Sequence, residues 1–249
     1  MKWFENIKEA IEPHKGDRDI ALYRFMPFDS LLQMLNEQKN TLVKSSLWED
    51  SYENFMLKNE FLVNGKNYSL EKLSDEWFGQ CWTTKSSSDA MWRIYSHDKK
   101  SVRIKTTVGR LWDSAITYQG DGIFMIGKVQ YFSQAQILKD IEEGAPYRLS
   151  EVSDMMINSL YVKRNSFRHE LEWRLVYHCG SKSAEKEKNA IQVDINPLEF
   201  IMNVYFDPRA DNIYVDRCKK ILVKAFNYPS KRIHKSSLYD FKPIKIELR

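Results

Sequence analysis

The chain has 249 residues, of which 43% are hydrophobic and 13% aromatic, and it carries a formal net charge of +4 from 38 basic and 34 acidic side chains. This composition excludes an intrinsically disordered chain, because there is enough apolar surface to offset the entropy lost on ordering. The small excess of positive charge is compatible with a nucleic-acid partner but does not require one.

The distribution of glycine and proline argues against separate domains. Only 9 glycines and 7 prolines are spread along the chain, so no linker rich in these residues divides it, and residues 1–249 are predicted to form one compact domain. Within it we expect a helical extension at 1–19 and terminal strands at 231–249. No apolar stretch approaches the roughly 20 residues that span a bilayer, so we expect a cytoplasmic protein.

The cysteines and histidines support none of the common metal or nucleophile motifs. Cys81, Cys179 and Cys218 are too widely spaced for a zinc site or a disulfide framework and are predicted to be reduced thiols in the core. The five histidines have no metal-ligand spacing, and there is no nucleophile elbow and no glycine-rich phosphate loop between a strand and a helix. We therefore predict no metal site and no Rossmann or P-loop fold.

In chain order, the elements begin with a predicted helix over Trp3–Ile11 and a buried strand over Ile20–Phe25, which contains one cation, Arg24. A buried arginine needs an anionic partner, which is either a carboxylate of the protein or a charged ligand, and the internal salt bridge is the commoner of the two. Further on, Asp50 and Glu53 have the spacing of a capping box. That pattern predicts a helix continuing through Phe55 and Phe61.

The middle of the chain contains a strand that leads into a helix. Gln80–Thr84 predicts the strand, and Ser88 predicts the N-cap of a helix over Asp89–Ser96. A strand that ends in hydroxyls, here Thr83 and Thr84, and leads into a helix N-terminus offers a phosphate free backbone N–H groups and a positive dipole end. Hydroxyl clusters are nevertheless more often simple caps and turns.

The remaining elements mix strands and helices without strict β-α-β alternation. This order predicts an α+β fold with a central mixed, mostly antiparallel sheet flanked by helices. The predicted elements are strands at Ser101–Thr106, Ile123–Phe132, Ala190–Ile195 and Ile201–Phe206, with the last long helix from Asp211 to Phe226.

The stretch from His169 to His178 carries charged and apolar side chains in alternation. If it is a strand, its period of two separates a charged face from an apolar face. The charged face holds Glu170, Glu172 and Arg174, and the apolar face holds Leu171, Trp173 and Leu175. Anchored in a core, such a strand would hold its charges rigidly over a cleft. Strands of this pattern with a cross-strand ion pair are also common in ordinary sheets.

Taken together, the motifs resemble those of the bacterial domain-of-unknown-function family 2971 over residues 20–230. The motifs that carry the resemblance are Leu22–Phe25, Trp48–Glu53, Cys81–Thr83, Met91–Tyr95 and Glu170–Arg174. The chain departs from the family's common residues at Ser51, Thr83, Ile94, Lys99 and Ser101. The resemblance implies a shared fold, while the name of the family leaves its activity open.

A second resemblance suggests an activity. An arginine on an early strand, hydroxyls on a middle strand and Glu-x-Glu on a late strand are similar to the Arg–Ser/Thr–Glu order of ADP-ribosyltransferases, which implies a split sheet and NAD as substrate. The implied roles are Arg24 at the pyrophosphate, Thr83 or Thr84 at the nicotinamide half, Glu172 at the nicotinamide ribose and Glu170 at the acceptor, with Tyr23, Trp92 and Tyr95 as further NAD-binding residues. The function predicted from this similarity is an NAD-dependent ADP-ribosyltransferase-like enzyme or NAD glycohydrolase, acting as a bacterial toxin or in phage defence. Its acceptor would be a nucleic acid or a protein.

The alternative is a non-enzymatic module that binds nucleic acid or protein through a basic face. The candidate cations are Arg103, Lys105, Lys163, Arg164 and Arg168. The cluster at 163–168 would steer a phosphate-bearing ligand or only cap the preceding helix. A backbone-binding module would lose affinity steeply with salt, whereas NAD turnover would not. A third option, a phosphoryl-transfer enzyme, lacks a recognisable set of metal ligands.

Overall fold

The computed structural model describes residues 12–50, 52–144 and 149–247. The helix predicted over Trp3–Ile11 lies outside the described residues. Within the described part, none of the helices combines the length and the apolar character that crossing a membrane would need.

In the described parts of the chain, thirteen strands form one large sheet and two small two-stranded sheets. In chain order they are β1 (Ala21–Met26), β2 (Lys39–Lys44), β3 (Glu60–Val63), β4 (Lys66–Ser69), β5 (Trp77–Thr83), β6 (Val102–Thr107), β7 (Ile123–Lys128), β8 (Gln130–Phe132), β9 (Val162–Arg164), β10 (Glu172–His178), β11 (Ala190–Asp194), β12 (Asn203–Phe206) and β13 (Ile233–Lys235). The large sheet has nine strands in the order β11-β2-β5-β1-β6-β12-β13, and β10 pairs with both β5 and β7. All its pairings are antiparallel except β12 with β13, so the predicted α+β fold with a mixed, mostly antiparallel sheet is confirmed.

Seven α-helices among the described residues surround the sheets. They are α1 (Phe28–Glu37), α2 (Asp89–Tyr95), α3 (Val108–Ala115), α4 (Gln134–Gly144), α5 (Leu149–Ser159), α6 (Pro197–Phe200) and α7 (Asn212–Phe226). Two predicted caps are present: the side chain of Ser88 accepts a hydrogen bond from the Met91 amide, and that of Asp211 accepts from the amides of Ile213 and Tyr214. These side chains satisfy amides that have no partner inside the helix.

The main core lies between one face of the large sheet and helices α1, α3 and α7. Ile104 and Val204 are register partners on β6 and β12, and both are completely buried. Trp173 and Leu175 on β10 enter the same core, as the alternating pattern predicts. This burial fixes the position of β10 and therefore of the side chains on its opposite face.

Strand β5 is the place where the large sheet divides. On one side it pairs with β10 along its whole length. On its other side it pairs with β2 only at Phe78 and Gly79, and with β1 only at Thr83. Between these points, residues 80–82 have no strand partner on that side within the described parts of the chain. The strands β1 and β2 therefore diverge, and a gap opens inside the sheet.

The prediction of a helix after the capping-box pattern is wrong. A short 3-10 helix over Phe55–Lys58 is followed by the hairpin of β3 and β4. Asn64 and Gly65 connect these strands with φ values of 50° and 75°, as a two-residue hairpin turn requires. The Asn-Gly dipeptide was the available sequence signal for this hairpin.

The prediction that one strand begins at His169 is also wrong. Residues Asn165–Glu170 form a 3-10 helix, Leu171 has a left-handed φ of 42°, and β10 starts only at Glu172. Leu171 is 41% exposed and does not join the apolar face. Glu170 therefore reaches the neighbourhood of Glu172 through a turn and not through the period of a strand.

Candidate functional site

A cavity of about 1000 Å³ lies at the gap between β1, β2 and β5. Ligand sites in proteins typically measure about 300–1,000 Å³, so this one has room for a ligand of dinucleotide size. Residues of β1, β2, β5, β9 and β10 line it, together with Tyr95 of α2 and Phe167 of the 3-10 helix before β10.

Three predicted site residues form one row across adjacent strands. Glu172 on β10 is the register partner of Thr83 on β5, which is the register partner of Tyr23 on β1. Directly paired residues of antiparallel strands place their side chains on the same face. Arg24 follows Tyr23 at the point where β1 leaves β5. The predicted residues that line this one cavity are Tyr23, Arg24, Thr83, Tyr95, Glu170 and Glu172.

Two of the predicted NAD-binding residues lie elsewhere. Trp92 is completely buried, and its ring packs edge-on against Phe25 at 4.8 Å between centroids. Trp92 is therefore part of the support beneath the cavity and not of its lining. Thr84 lines a second, smaller cavity.

Arg24 has no anionic partner in the described parts of the chain: its guanidinium forms no hydrogen bond and no ion pair there. The internal salt bridge that the sequence favoured is therefore absent. Burial lowers the pKa of Arg24, as expected where a cation has lost water and gained no counter-ion. Of the two partners considered from the sequence, a charged ligand is the one left open.

Lys163 is surrounded by three glutamates at one side of the cavity. Its Nζ lies 2.6 Å from Glu170 Oε2, 3.2 Å from Glu172 Oε2 and 3.1 Å from Glu53 Oε1. Desolvation opposes the charge of Lys163, but the three carboxylates outweigh it and raise the lysine pKa. Lys163 therefore stays protonated and neutralises part of the acidic cluster.

Arg174 is the second cation of this cluster and is completely buried. It donates hydrogen bonds from Nε to Glu172 Oε1, from Nη2 to Glu53 Oε1 and from Nη1 to the carbonyl of Leu160, at 2.6, 2.6 and 2.7 Å. Its guanidinium also lies over the ring of Trp48, 4.7 Å from the centroid. Of the two glutamates that share its predicted charged face, Glu172 is the one that pairs with Arg174.

Glu53 is a site residue that sequence reasoning missed. It was predicted to complete a capping box with Asp50, but no α-helix follows, and Glu53 is buried against Arg174 and Lys163. Asp50 accepts a hydrogen bond from the Tyr52 amide and forms an ion pair of 2.9 Å with Arg164. Asp50 and Glu53 therefore serve ion pairs with distant residues and do not cap a helix.

The two neighbouring glutamates have opposite pKa shifts. Burial alone would raise the pKa of Glu172, but the charges and hydrogen bonds of Arg174, with help from Lys163, lower it to about 2. For Glu170 burial dominates and the pKa is raised. Carboxyl groups whose environments separate their pKa values in this way can take different roles, one as a fixed negative charge and the other as a proton carrier.

Thr83 and Thr84 hold the turn that carries Glu170. The Thr83 hydroxyl donates a hydrogen bond to the main-chain carbonyl of Glu170. The amide and hydroxyl of Thr84 both donate to the carbonyl of Leu171, at 3.2 and 3.3 Å. These bonds keep Leu171 in its left-handed conformation, which is unusual for a residue other than glycine. The hydroxyl proton of Thr83 is thus used within the protein.

Cys81 is not the core thiol that the sequence predicted. It is exposed and lines the large cavity, whereas Cys179 and Cys218 are buried, and all three are free. Desolvation and the negative charge of Glu172 raise the Cys81 pKa well above its ordinary value. Cys81 is therefore a neutral thiol at physiological pH and a poor nucleophile.

The basic face predicted for a binding module is not one surface. Lys163 is buried among glutamates, and Arg164 is paired with Asp50. Arg103 is only 4% exposed and lies over the rings of Tyr23 and Tyr205, 4.7 and 4.4 Å from their centroids. The sequence indicated these cations as one basic face but could not show that neighbouring elements bury or pair them.

No family model matches the chain, so the resemblance to domain-of-unknown-function family 2971 is not confirmed. No curated protein matches it either.

Among solved structures, DarT of Thermus sp. 2.9 in complex with NAD⁺ has a TM-score of 0.40 and 12% identity, covering 90% of this chain and 97% of that chain. The same protein in complex with carba-NAD⁺ gives 0.38 and 12%, with 87% and 94% covered. In complex with ADP-ribosylated ssDNA it gives 0.40 and 11%, with 87% and 94% covered. At these scores, the assignment of a function rests on the side chains of the cavity.

Proposed function

We propose that the large cavity binds NAD and that the protein cleaves its nicotinamide–ribose bond, transferring ADP-ribose to an acceptor or to water. The observation that carries the proposal is that Arg24, whose guanidinium has no partner among the described residues, shares a cavity with the ionised carboxylate of Glu172. NAD has the complementary charges, with an anionic pyrophosphate in the middle and a cationic nicotinamide at one end.

Arg24 is suited to the pyrophosphate. Its planar guanidinium can donate two parallel hydrogen bonds to phosphate oxygens, and its positive charge is only partly screened at the floor of a cavity. Binding an anion would also supply the counter-ion that Arg24 lacks among the described residues. Tyr23 and Tyr95, which line the same cavity, offer ring surfaces for the bases and sugars.

Glu172 is suited to the nicotinamide ribose. Positive charge develops on the ribose as the bond to nicotinamide breaks, and a fixed carboxylate stabilises that charge more in the transition state than in the ground state. Arg174 and Lys163 already hold Glu172 ionised and in place, so no reorganisation is needed when the charge appears.

Glu170 is assigned to the acceptor or water. Its pKa is raised by burial, and a carboxylate with a raised pKa is a stronger base towards the proton of an attacking group. Thr83 acts as a positioning residue because it holds the Glu170 main chain. A nucleic-acid or protein acceptor is compatible with these roles. A role in toxicity or phage defence stays a prediction.

The experiment measures nicotinamide release from NAD by liquid chromatography, together with the shift in melting temperature on adding NAD. Glu172→Gln keeps the shape of the side chain but removes its charge, and we expect release to fall about 100-fold or more, as for other single electrostatic stabilisers. The matched control is Glu76→Gln, another buried glutamate, which bonds His178 at 3.1 Å and lines neither cavity. The control variant should release nicotinamide at the native rate.

Two results would contradict the proposal. One is native protein that neither releases nicotinamide nor gains thermal stability with NAD. The other is a Glu172→Gln variant that releases nicotinamide as fast as the Glu76→Gln control.

A further inference from the structure

The amide side chain of Gln80 connects β5 to β2 across the gap in the large sheet. The main-chain ladder between these strands ends at Gly79, which is the register partner of Val43. If the ladder continued, Thr41 would be the register partner of Cys81, but the described residues show no such pairing. Instead, Gln80 Nε2 donates a hydrogen bond of 2.7 Å to the Thr41 carbonyl. A side chain therefore makes the connection that the main chain of β5 does not make.

Every hydrogen-bonding position of the Gln80 amide is occupied. Nε2 also donates to Asn40 Oδ1 at 2.7 Å, and Oε1 accepts from Asn40 Nδ2 at 3.1 Å and from Trp82 Nε1 at 2.7 Å. A primary amide has two donor hydrogens and two acceptor lone pairs, so Gln80 has none left for a ligand. A role of Gln80 in ligand binding must therefore act through the residues that it holds.

The side chains of this network are buried. Asn40 is completely buried, and Gln80 and Trp82 are each 2% exposed. Burying amides costs desolvation energy, and a pair of apolar side chains of the same shape would fill the space without that cost. What the amides add is direction, because a buried network with all its hydrogen bonds formed allows only one arrangement of its groups. The network therefore fixes β2 against β5 where the main chain does not.

The network lies at the wall of the cavity proposed for NAD. Gln80 and Trp82 are among the lining residues on β5, and Arg24 lines the cavity from β1. The register of Tyr23 with Thr83 would place Arg24 opposite Trp82 if β1 stayed paired with β5. Arg24 and the network thus stand on opposite sides of the gap. The distance of β2 from β5, which Gln80 sets, contributes to the width that a ligand meets.

We propose that Gln80 is a positioning residue that fixes the width of the gap and so preorganises the cavity, and its effect on NAD binding rests on the proposed function. A ligand that enters a cavity with fixed walls loses less conformational entropy on binding. Without the amide, the end of β2 at Asn40 and Thr41 loses its hydrogen bonds to Gln80, and ligand affinity falls. Glu172 is held separately by Arg174 and Lys163, so the bond-breaking step keeps its rate.

Amide hydrogen exchange, followed by mass spectrometry of peptides, tests whether Gln80 fixes the strand. The samples are the native protein, Gln80→Met and Thr106→Val, all without ligand. Methionine keeps the length of glutamine but lacks its two donors. The control loses another buried hydrogen bond, because the Thr106 hydroxyl donates to the Phe200 carbonyl at 2.8 Å, and Thr106 lines neither cavity. Exchange over β2 should be several-fold faster in Gln80→Met and unchanged in Thr106→Val.

Steady-state kinetics of nicotinamide release tests the consequence for the ligand. Gln80→Met should raise KM for NAD by about 10-fold with kcat unchanged, as expected when a wall of a binding site loses its fixed position. Thr106→Val should change neither constant. If Gln80→Met does not fold, the double variant Gln80→Met/Asn40→Leu replaces both amides by apolar groups. It should fold and show the same two effects.

Three results would overturn the inference. They are exchange over β2 that is no faster in the Gln80 variant than in the native protein, a KM that rises equally in the variant and the Thr106→Val control or in neither, and a double variant that does not fold. Native protein that releases no nicotinamide would instead overturn the proposed function. The exchange measurement needs no NAD, so it would still decide whether Gln80 fixes β2.

Discussion

Arg174 donates a hydrogen bond of 2.6 Å from Nε to Oε1 of Glu172, two residues earlier on the same face of β10. Both side chains are buried, so the carboxylate proposed to stabilise the reaction is held by a cation that has no contact with solvent. Buried ion pairs cost desolvation energy, and such a cost is common where a charge must be kept in one position.

Arg174→Met should destabilise the fold strongly, because it leaves Glu172 and Glu53 buried without their shared cation. Removing one partner of a buried ion pair typically costs about 3–5 kcal/mol. Urea denaturation gives the free energy of unfolding. The control Arg217→Met removes an exposed arginine of α7, and its effect should be within about 0.5 kcal/mol. Equal losses for the two variants would show that the Arg174 network adds nothing to stability.

The stability should depend on pH through Glu172. Its pKa is about 2 in the folded protein, below the roughly 4.3 of an unperturbed glutamate. The unfolded chain therefore binds the proton first as pH falls, so the contribution of Glu172 is complete above about pH 5 and is lost towards pH 2. As pH is lowered across this range, the melting temperature should fall more steeply for the native protein than for Glu172→Gln. Parallel curves would contradict the lowered pKa.

Substitutions of Arg24 should separate ligand binding from stability. Arg24→Gln removes the charge and should weaken NAD binding by about 10- to 100-fold, the value of a charge-assisted hydrogen bond of roughly 1.5–3 kcal/mol. Arg24→Lys keeps the charge without the bidentate geometry and should lie between Gln and the native residue. Isothermal titration calorimetry measures the affinities.

Without ligand, the same variants should not lower the melting temperature. Arg24 forms no ion pair with the described residues, and burial disfavours its charged form, as its lowered pKa indicates. A melting temperature that falls sharply in Arg24→Gln would indicate a structural role and count against a ligand-binding one.

Gly79→Ala should displace Trp48. A Cβ at Gly79 would overlap the Trp48 ring, and that ring lies against Arg174. Overpacking of this kind typically costs about 1–3 kcal/mol. Gly16→Ala is the matched control, since a Cβ at Gly16 meets no atom of the described residues within 4 Å. Differential scanning calorimetry should show a lower melting temperature for Gly79→Ala alone, and an unchanged one would mean that Trp48 moves at no cost.

Sequence patterns predicted correctly those features that depend only on residues close together in the chain. The burial of Trp173 and Leu175 follows from alternation, and the cap at Ser88 follows from hydrogen bonds within one turn. Glu53 could not be assigned in this way, because its spacing from Asp50 is that of a capping box while its partner Arg174 lies 121 residues away. The partner of a charge depends on which strands the fold brings together, and no single-sequence pattern records that.

Glu170 illustrates a different reason. The Glu-x-Glu pattern predicted that Glu170 and Glu172 share a site, and both line the large cavity. They reach it through the turn at the left-handed Leu171 and not through strand alternation. Thr83, the last residue of β5, and the following Thr84 hold this turn in place. The sequence contains no glycine or asparagine at position 171 that would have indicated such a turn.

The gap beside residues 80–82 gives the large sheet an open edge in its interior. Open edges at the outside of a sheet are hazardous, because a strand from another molecule can pair with them and start aggregation. Here the edge lies inside the sheet, with β1 and β2 on either side of the gap. An incoming strand therefore has no room to extend along β5. A compact ligand can still reach the main chain of β5, which lets the protein offer backbone donors and acceptors for recognition while keeping them from other polypeptides.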